Sequence, residues 1–425
     1  MNTDKSVRAL ALWVGVCVLV LGVALGAQTP AAPKYKFDSE WPKPLPNKWK
    51  MGGVTGLAVD KDDNVWVLDR PNDLREIELN AEVKLADCCA RPPSMIHIDK
   101  AGNVIGYFDP PQGHGMAVDS KGFVYIGNAV GGKGNVRKYD PKTGKMVAEL
   151  PRTPETPPGG GGGDGGGGGA QARTPGHGGP GPGGTFPANP GKPPDPAATA
   201  AFRAKYPPTT PMIVGGIEEV RLDEPAHELY TADNYLGGRV MVFDLDTFAF
   251  KRGWGAYGHK LSEITTDDKD RDYVPNGPMP KEFRNHLTLN ISKDGLVYAA
   301  DRGANRIDVT TKEGKFVKEF ILAPSTGVPP PPSHPLVNTG KEGSAGGVGF
   351  SVDPQQRFLY ISDLSNNMVW FLNRDDGKVV GTLGSMGQNG GQFFGLHMIA
   401  VDSKGVIYTG EVFNGERVQR FVPVR

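Results

Sequence analysis

Cysteine is nearly missing from this chain of 425 residues: only Cys17, Cys88 and Cys89 are present. Cys17 lies in an apolar leader, and two adjacent cysteines cannot tie distant segments together, so a disulfide-built fold is excluded. Cys88 and Cys89 form either a vicinal disulfide or two thiols, and in both states they read as structural. Net charge is missing too, since 47 basic residues balance 47 acidic ones. That balance leaves no electrostatic footprint for nucleic acid, and no nucleic-acid partner is expected. After the leader no apolar run is long enough to span a bilayer.

The leader itself has a short basic region, Lys5 and Arg8, then an apolar-plus-glycine run from Ala9 to Gly26, with the small residues Ala24-Leu25-Gly26 at its end. Residues 1–27 therefore read as an export signal, or as a membrane anchor if uncleaved, the only membrane contact expected. Val16 before Cys17 fits a lipoprotein cleavage site poorly. The expected location is periplasmic or extracellular, and the expected state a monomer. Glycine (60) and proline (38) are concentrated in residues 151–210, where two Gly pentamers flank Asp164 and a Pro/Gly-rich stretch ends in Tyr206-Pro207-Pro208-Thr209-Thr210-Pro211. Such composition buries too little apolar area to offset chain entropy, so 151–210 is expected to be a disordered insertion, with His177 exposed and idle.

What remains is a repeat. A unit of apolar run, Asp, turn, then apolar–Tyr/Trp–apolar occurs six times, with second runs around Trp66, Tyr125, Tyr230, Tyr298, Tyr360 and Tyr408. β-Branched and aromatic residues at alternating positions with a Gly- or Asp-containing turn between them make each pair a hairpin. Third runs begin at Arg239, Arg306, Asn367 and Arg417, and fourth runs follow Gly144-Lys145, Gly314-Lys315 and Gly377-Lys378. Four strands in each of six units predict an all-β, six-bladed β-propeller over 34–425, interrupted between blades two and three by the insertion. The last unit lacks a fourth run, and Tyr35-Lys36-Phe37 is the segment able to supply it.

Three histidines open the first run of alternate units: His114, His286 and His397. His114 to His286 is 172 residues, or 112 without the 60 of the insertion, and His286 to His397 is 111. Each interval is two units of about 56, which places the three on every second blade of the ring. Counting five residues before each anchor Asp gives Thr55, Glu218 and Val348 as the matching positions of the odd blades. Three neutral imidazoles converging on an axis suit zinc with an open fourth position, other divalent transition metals being alternatives. Around them, Arg70 and Arg302 follow the second-run Asp in only two units, and Arg is the bidentate partner of a carboxylate. Tyr235, in Asp233-Asn234-Tyr235, brings a phenol to the same mouth, where a nearby cation would favour its use as a base. Arg239, Arg306 and Arg417 recur in most units and read as salt-bridge partners of the hairpin acids.

The unit resembles the NHL repeat, and the combination resembles the peptidyl-α-hydroxyglycine α-amidating lyase family across nearly all of 35–425 outside the insertion. The resemblance rests on His114, His286 and His397 at strand openings, Asp233-Asn234-Tyr235 through Arg239, Ala300-Asp301-Arg302, Arg70, and the lead-in Glu40-Trp41-Pro42 with Leu45-Pro46. It implies a zinc held by the three histidines, Tyr235 as catalytic base, Arg70 and Arg302 binding or stabilising negative charge, and a small-molecule or peptide substrate bearing a carboxylate. The reaction implied is cleavage of a carbinolamide C–N bond to an amide and glyoxylate. Met398 and Leu236 depart from the family, standing where its vertebrate members place a calcium-ligating Asp and a disulfide Cys, which argues against a structural calcium. Two other readings stay open: a metal-dependent lactonase or esterase, with Glu218 as its central acid, and a non-catalytic recognition propeller of the NHL type.

Overall fold

The computed structural model describes residues 31–128, 135–155, 158, 195–284, 286–327, 343–413 and 415–424. The leader 1–27 lies outside the described residues, as does most of the 151–210 segment. The chain opens with β1 (Tyr35–Phe37). Blade one is β2 (Gly53–Val59), β3 (Val65–Arg70), β4 (Met95–Ile98) and β5 (Val104–Phe108); blade two is β6 (Met116–Val118), β7 (Val124–Asn128), β8 (Asn135–Asp140) and β9 (Lys145–Glu149). After α1 (Pro196–Lys205), blade three is β10 (Gly216–Asp223), β11 (Glu228–Asn234), β12 (Arg239–Asp244) and β13 (Phe250–Trp254). Blade four is β14 (Leu287–Ile291), β15 (Leu296–Asp301), β16 (Arg306–Thr311) and β17 (Phe316–Ile321). Blade five is β18 (Val348–Phe350), β19 (Phe358–Asp363), β20 (Met368–Asn373) and β21 (Val379–Leu383). Blade six is β22 (Leu396–Val401), β23 (Ile407–Glu411) and β24 (Arg417–Pro423), completed by β1.

Every pairing within these sheets is antiparallel. The six-bladed propeller and its closure are therefore as expected. Tyr35, Lys36 and Phe37 pair with Pro423, Val422 and Phe421, and the Tyr35 hydroxyl lies 3.0 Å from that of Tyr360 in blade five. The first residues of the domain thus clamp its last blade.

The core is divided among the blade interfaces, because a single twisted sheet has two apolar faces and can cover neither alone. The second-strand aromatic of each blade is buried against the next blade. Tyr125 packs with Ile217 and Val220, Tyr230 with Leu287 and Leu289, and Tyr298 with Val348 and Phe350. Tyr360 packs with Phe393 and Ile399, Tyr408 with Val54 and Trp41, and Trp66 with Met116 and Ile126. Each such ring contributes roughly 1.5–3 kcal/mol by burial, and the hydroxyl explains why Tyr is used: Tyr125, Tyr230 and Tyr408 all donate to a carboxylate.

Antiparallel order fixes where the connections fall. First strands begin, and second and fourth strands end, on one rim of the ring. The strands flanking the long connections 71–94, 150–215, 255–286, 322–347 and 384–395 end and restart at this rim, called upper here, while the described connections at the opposite rim are short hairpin turns. No helix among the described residues is long and apolar enough to cross a membrane.

One expectation needs correction here, and one left open is decided. The segment 151–210 is not wholly unstructured: Arg152 bridges Ile213, and residues 196–205 form α1. Asp195 caps this helix by accepting from the Ala197 N–H, Pro196 starts it, and an alanine-rich run continues it. Phe202 anchors it as a buried side chain. The Gly pentamers and His177 lie outside the described residues. Cys88 and Cys89, left open between two states, are joined as a vicinal disulfide in the 71–94 connection.

Candidate functional site

The sequence-predicted site residues all belong to the upper rim, because they begin first strands or follow second strands. The register of the inner strands can be read from their pairing. His114 donates its backbone N–H to Gly127 O (2.7 Å), and Gly127 donates to Gly115 O (3.0 Å), so two inner residues face one partner. This is a bulge, which turns an extra side chain out of the ladder. The same extra residue is Thr55 in blade one, Glu218 in blade three and His397 in blade six, where pairing skips between Val54 and Gly56, Ile217 and Glu219, and Leu396 and Met398. In blade five it is Gly346, since Gly346 N–H bonds Ser362 O (2.9 Å) and Ser362 N–H bonds Gly347 O (3.0 Å).

The expected ring of six matched positions is thus corrected in two blades. Val348 pairs in register with Ile361 and faces a cavity of about 560 Å³ toward the lower rim, shared with Ala58, Ala117, Arg221 and Ile399. Blade four has no bulge: Leu287 pairs with Asp301 and Thr288 with Ala300. His286 therefore stands one residue ahead of the strand, in a left-handed conformation with φ +58°. Only His114 and His397 share one structural position.

The geometry nevertheless links the three blades' residues in pairs. The rings of His114 and His397 lie 4.8 Å apart, edge to face. His114 Nδ1 is 3.0 Å from the backbone oxygen of Glu218, and His286 Nδ1 is 2.7 Å from Glu218 Oε1. The Tyr235 hydroxyl donates to the same Oε1 at 2.9 Å, and its ring lies 5.7 Å from that of His286. His114 is fully buried and Glu218 almost so, whereas the His286 side chain is 13% exposed. Among the described residues, no group of three or more His, Cys, Asp or Glu side chains is arranged to hold a metal ion.

Tyr235 is placed by the residue before it. Asn234, buried at the end of β11, accepts from the Leu287 N–H (2.7 Å) and donates to the Leu287 oxygen (3.2 Å) of blade four. The turn then continues with Tyr235 in the left-handed region at φ +53°, where an ordinary side chain persists only under such constraint. Leu287 follows His286, so one amide side chain ties the base candidate of blade three to the histidine of blade four.

Arg239, Arg306 and Arg417 form the salt bridges expected of them, with Asp233 (2.9 Å), Asp301 (3.0 Å) and Glu411 (2.7 Å). Arg70 closes β3 and Arg302 opens the turn after β15; both are buried at the same rim. A Cβ on Gly343 would meet the Arg302 oxygen at 1.7 Å, and Gly343 itself has φ +83°. Only glycine fits there, which lets the incoming strand of blade five cross directly over Arg302. Asp69, beside Arg70, is wholly buried. Burial pushes its carboxyl well above the carboxylate range, and the Gly52 N–H that bonds it pulls the other way. Asp363 in blade five is likewise raised by burial, to about 6.

Glu218 is the residue that sequence reasoning undervalued. It stood at the matched register, five before Asp223, but entered only as the central acid of the hydrolase alternative. The two consecutive glutamates have different partners: Glu219 pairs with Arg221 at 3.1 Å, and Glu218 faces the histidines.

No family profile matches the chain, and no curated protein matches it. Among solved structures it is similar to a crystal structure of a protein of unknown function from Bacteroides thetaiotaomicron, at 14% identity and a TM-score of 0.50, covering 93% of this chain and 77% of that one. It also matches hydrazine synthase of Kuenenia stuttgartiensis at 12% identity and a TM-score of 0.42, covering 84% of this chain and 74% of that one. The first likeness supports the β-propeller fold and nothing finer; the second carries no argument.

Proposed function

We propose that this chain is a metal-dependent lyase of the amidating type, cleaving a carbinolamide that bears a carboxylate into an amide and glyoxylate. The observation that carries the reading is the hydrogen bonding of two histidines. A backbone carbonyl only accepts, so His114 Nδ1 must carry its proton, and His286 Nδ1 faces the Glu218 carboxylate in the same way. With the proton on Nδ1, each imidazole in its neutral form would present the Nε2 lone pair, the pattern of ligating histidines whose other nitrogen is held by an acceptor. His114, His286 and His397 are the residues that would hold the metal, which requires them to converge more closely than the described residues do, and zinc suits three imidazole nitrogens.

The bound metal would supply Lewis acidity at the substrate hydroxyl. Tyr235 would take the hydroxyl proton while its own phenol proton passes to the Glu218 carboxylate it already faces, and would return a proton to the departing amide nitrogen as the C–N bond breaks. Arg70 and Arg302 would fix the substrate carboxylate and balance charge that develops near it. Burial of these groups at the rim excludes water and strengthens each interaction.

The test is metal analysis of purified protein together with glyoxylate release from an α-hydroxyglycine compound. Stoichiometric zinc, lost in His286→Ala, with glyoxylate release reduced by orders of magnitude in Tyr235→Phe at unchanged metal content, is the expected outcome. Metal without glyoxylate release would turn the reading toward the propeller hydrolases. Well-folded protein that takes up no metal would refute it in favour of a recognition propeller.

A further inference from the structure

We infer that Glu218 is the positioning residue of this rim, setting the tautomer of His286 through its carboxylate and that of His114 through its backbone oxygen, while holding the Tyr235 phenol. The inference deepens the metal-dependent reading and rests on it for what the histidines hold. The positioning itself rests on geometry.

Three contacts from three blades meet at one residue. Oε1 accepts from His286 Nδ1 at 2.7 Å and from the Tyr235 hydroxyl at 2.9 Å, and the backbone oxygen accepts from His114 Nδ1 at 3.0 Å. A carboxylate oxygen has lone pairs enough for both side-chain donors, so neither bond excludes the other. The side chain is only 1% exposed, and a buried carboxylate persists where donors surround it.

Two local devices bring Glu218 to this place. The β10 bulge adds one residue against β11, between Ile217 and Glu219, and leaves Glu218 outside the ladder. Gly115, immediately after His114, has φ +68°, and a Cβ there would lie 2.5 Å from the Glu218 oxygen. The backbones of blades two and three touch because that side chain is missing, which is what lets the His114 ring reach the carbonyl. An independent feature of blade two is therefore shaped around the Glu218 backbone.

The experiment is imidazole ¹⁵N NMR on chelator-treated full-length protein, with zinc affinity measured by chelator competition. In the wild type, His114 and His286 should both be protonated on Nδ1 and bare on Nε2. Glu218→Ala should abolish this preference at His286 while His114, held by the main chain, keeps it; Glu218→Gln, whose Oε1 still accepts, should restore it. Gly115→Ala should give the reciprocal pattern, disturbing His114 and sparing His286. Zinc affinity should fall about 10–100-fold in Glu218→Ala, as for other residues that orient metal-bound histidines. A wild-type His286 protonated on Nε2, or a Glu218→Ala protein with both tautomers unchanged, would overturn the inference. Absence of zinc uptake by the wild type would sink the metal reading alone, and the tautomers would still decide the role of Glu218.

Discussion

Replacing Asn234 by alanine should weaken the ring at the junction of blades three and four, and the size of the effect can be worked from two hydrogen bonds. The carboxamide accepts from the Leu287 N–H at 2.7 Å and donates to the Leu287 oxygen at 3.2 Å. Both residues are about 1% exposed, so alanine leaves a buried donor and a buried acceptor with those bonds unmade. Each such group costs about 1–3 kcal/mol, which gives about 2–6 kcal/mol for the pair, with the shorter bond contributing more. A typical domain has a net stability of about 5–15 kcal/mol, so the loss is large. Urea unfolding should show a lower midpoint at unchanged slope. Asn234→Asp keeps an acceptor for the N–H but sets a second oxygen against the Leu287 carbonyl and buries a charge, and at neutral pH it should be at least as damaging. A shift below about 0.5 kcal/mol for Asn234→Ala, the range of neutral surface changes, would refute the claim that this side chain fastens the two blades. Because His286 precedes Leu287 and Tyr235 follows Asn234, the same variant should also lose zinc affinity.

Two further outcomes follow from the buried groups. Asp308, almost wholly buried, has its carboxyl pushed up to about 7, chiefly by burial and further by Glu319, against the Tyr257 N–H bond and Arg306. Its folded value exceeds the unfolded one, so its contribution to stability is fully present below about 3.8 and is lost as pH rises toward 7; Asp308→Asn should gain on the wild type by up to about 4 kcal/mol between pH 4 and pH 8, and melting curves separated by a constant interval across that range would disprove this. Deleting residues 34–38 removes the β1 ladder with Phe421 to Pro423, the Tyr35–Tyr360 bond and the Phe37 packing on Phe421; the whole ring should melt earlier, and melting like the full chain would show that this closure contributes nothing.

The fold was legible because it is repeated. One aromatic at the centre of each second strand, followed in five of the six by an acid and often by an arginine five or six residues beyond it, is a signal that six copies make hard to miss. Those residues sit where burial is complete, so physics leaves them little freedom: Tyr230 and Tyr298 are sealed between blades, and Asp233–Arg239 is buried as a pair. The closing strand was legible by its absence from the last unit. The helix at 196–205 was hidden by composition, although Asp195-Pro196 followed by alanines is a helix start in its own right.

The site was legible in its residue types and less so in its register. Counting back from the turn acid works where Asp60, Asp119 and Asp402 donate their N–H across the hairpin to Asn64, Phe123 and Val406. In blades four and five a serine takes that place: Ser292 bonds Leu296 O and Ser351 bonds Phe358 O, with Asp294 and Asp353 two residues further on. The sequence anchor therefore slips, and with it His286 and Val348. Bulges are missed by such counting, since one extra residue shifts the strand's register by one place while standing outside the ladder itself. That is why two histidines share a position and the third reaches the rim by a left-handed residue, and why the contacts of a buried glutamate between them emerge only when the blades are placed side by side.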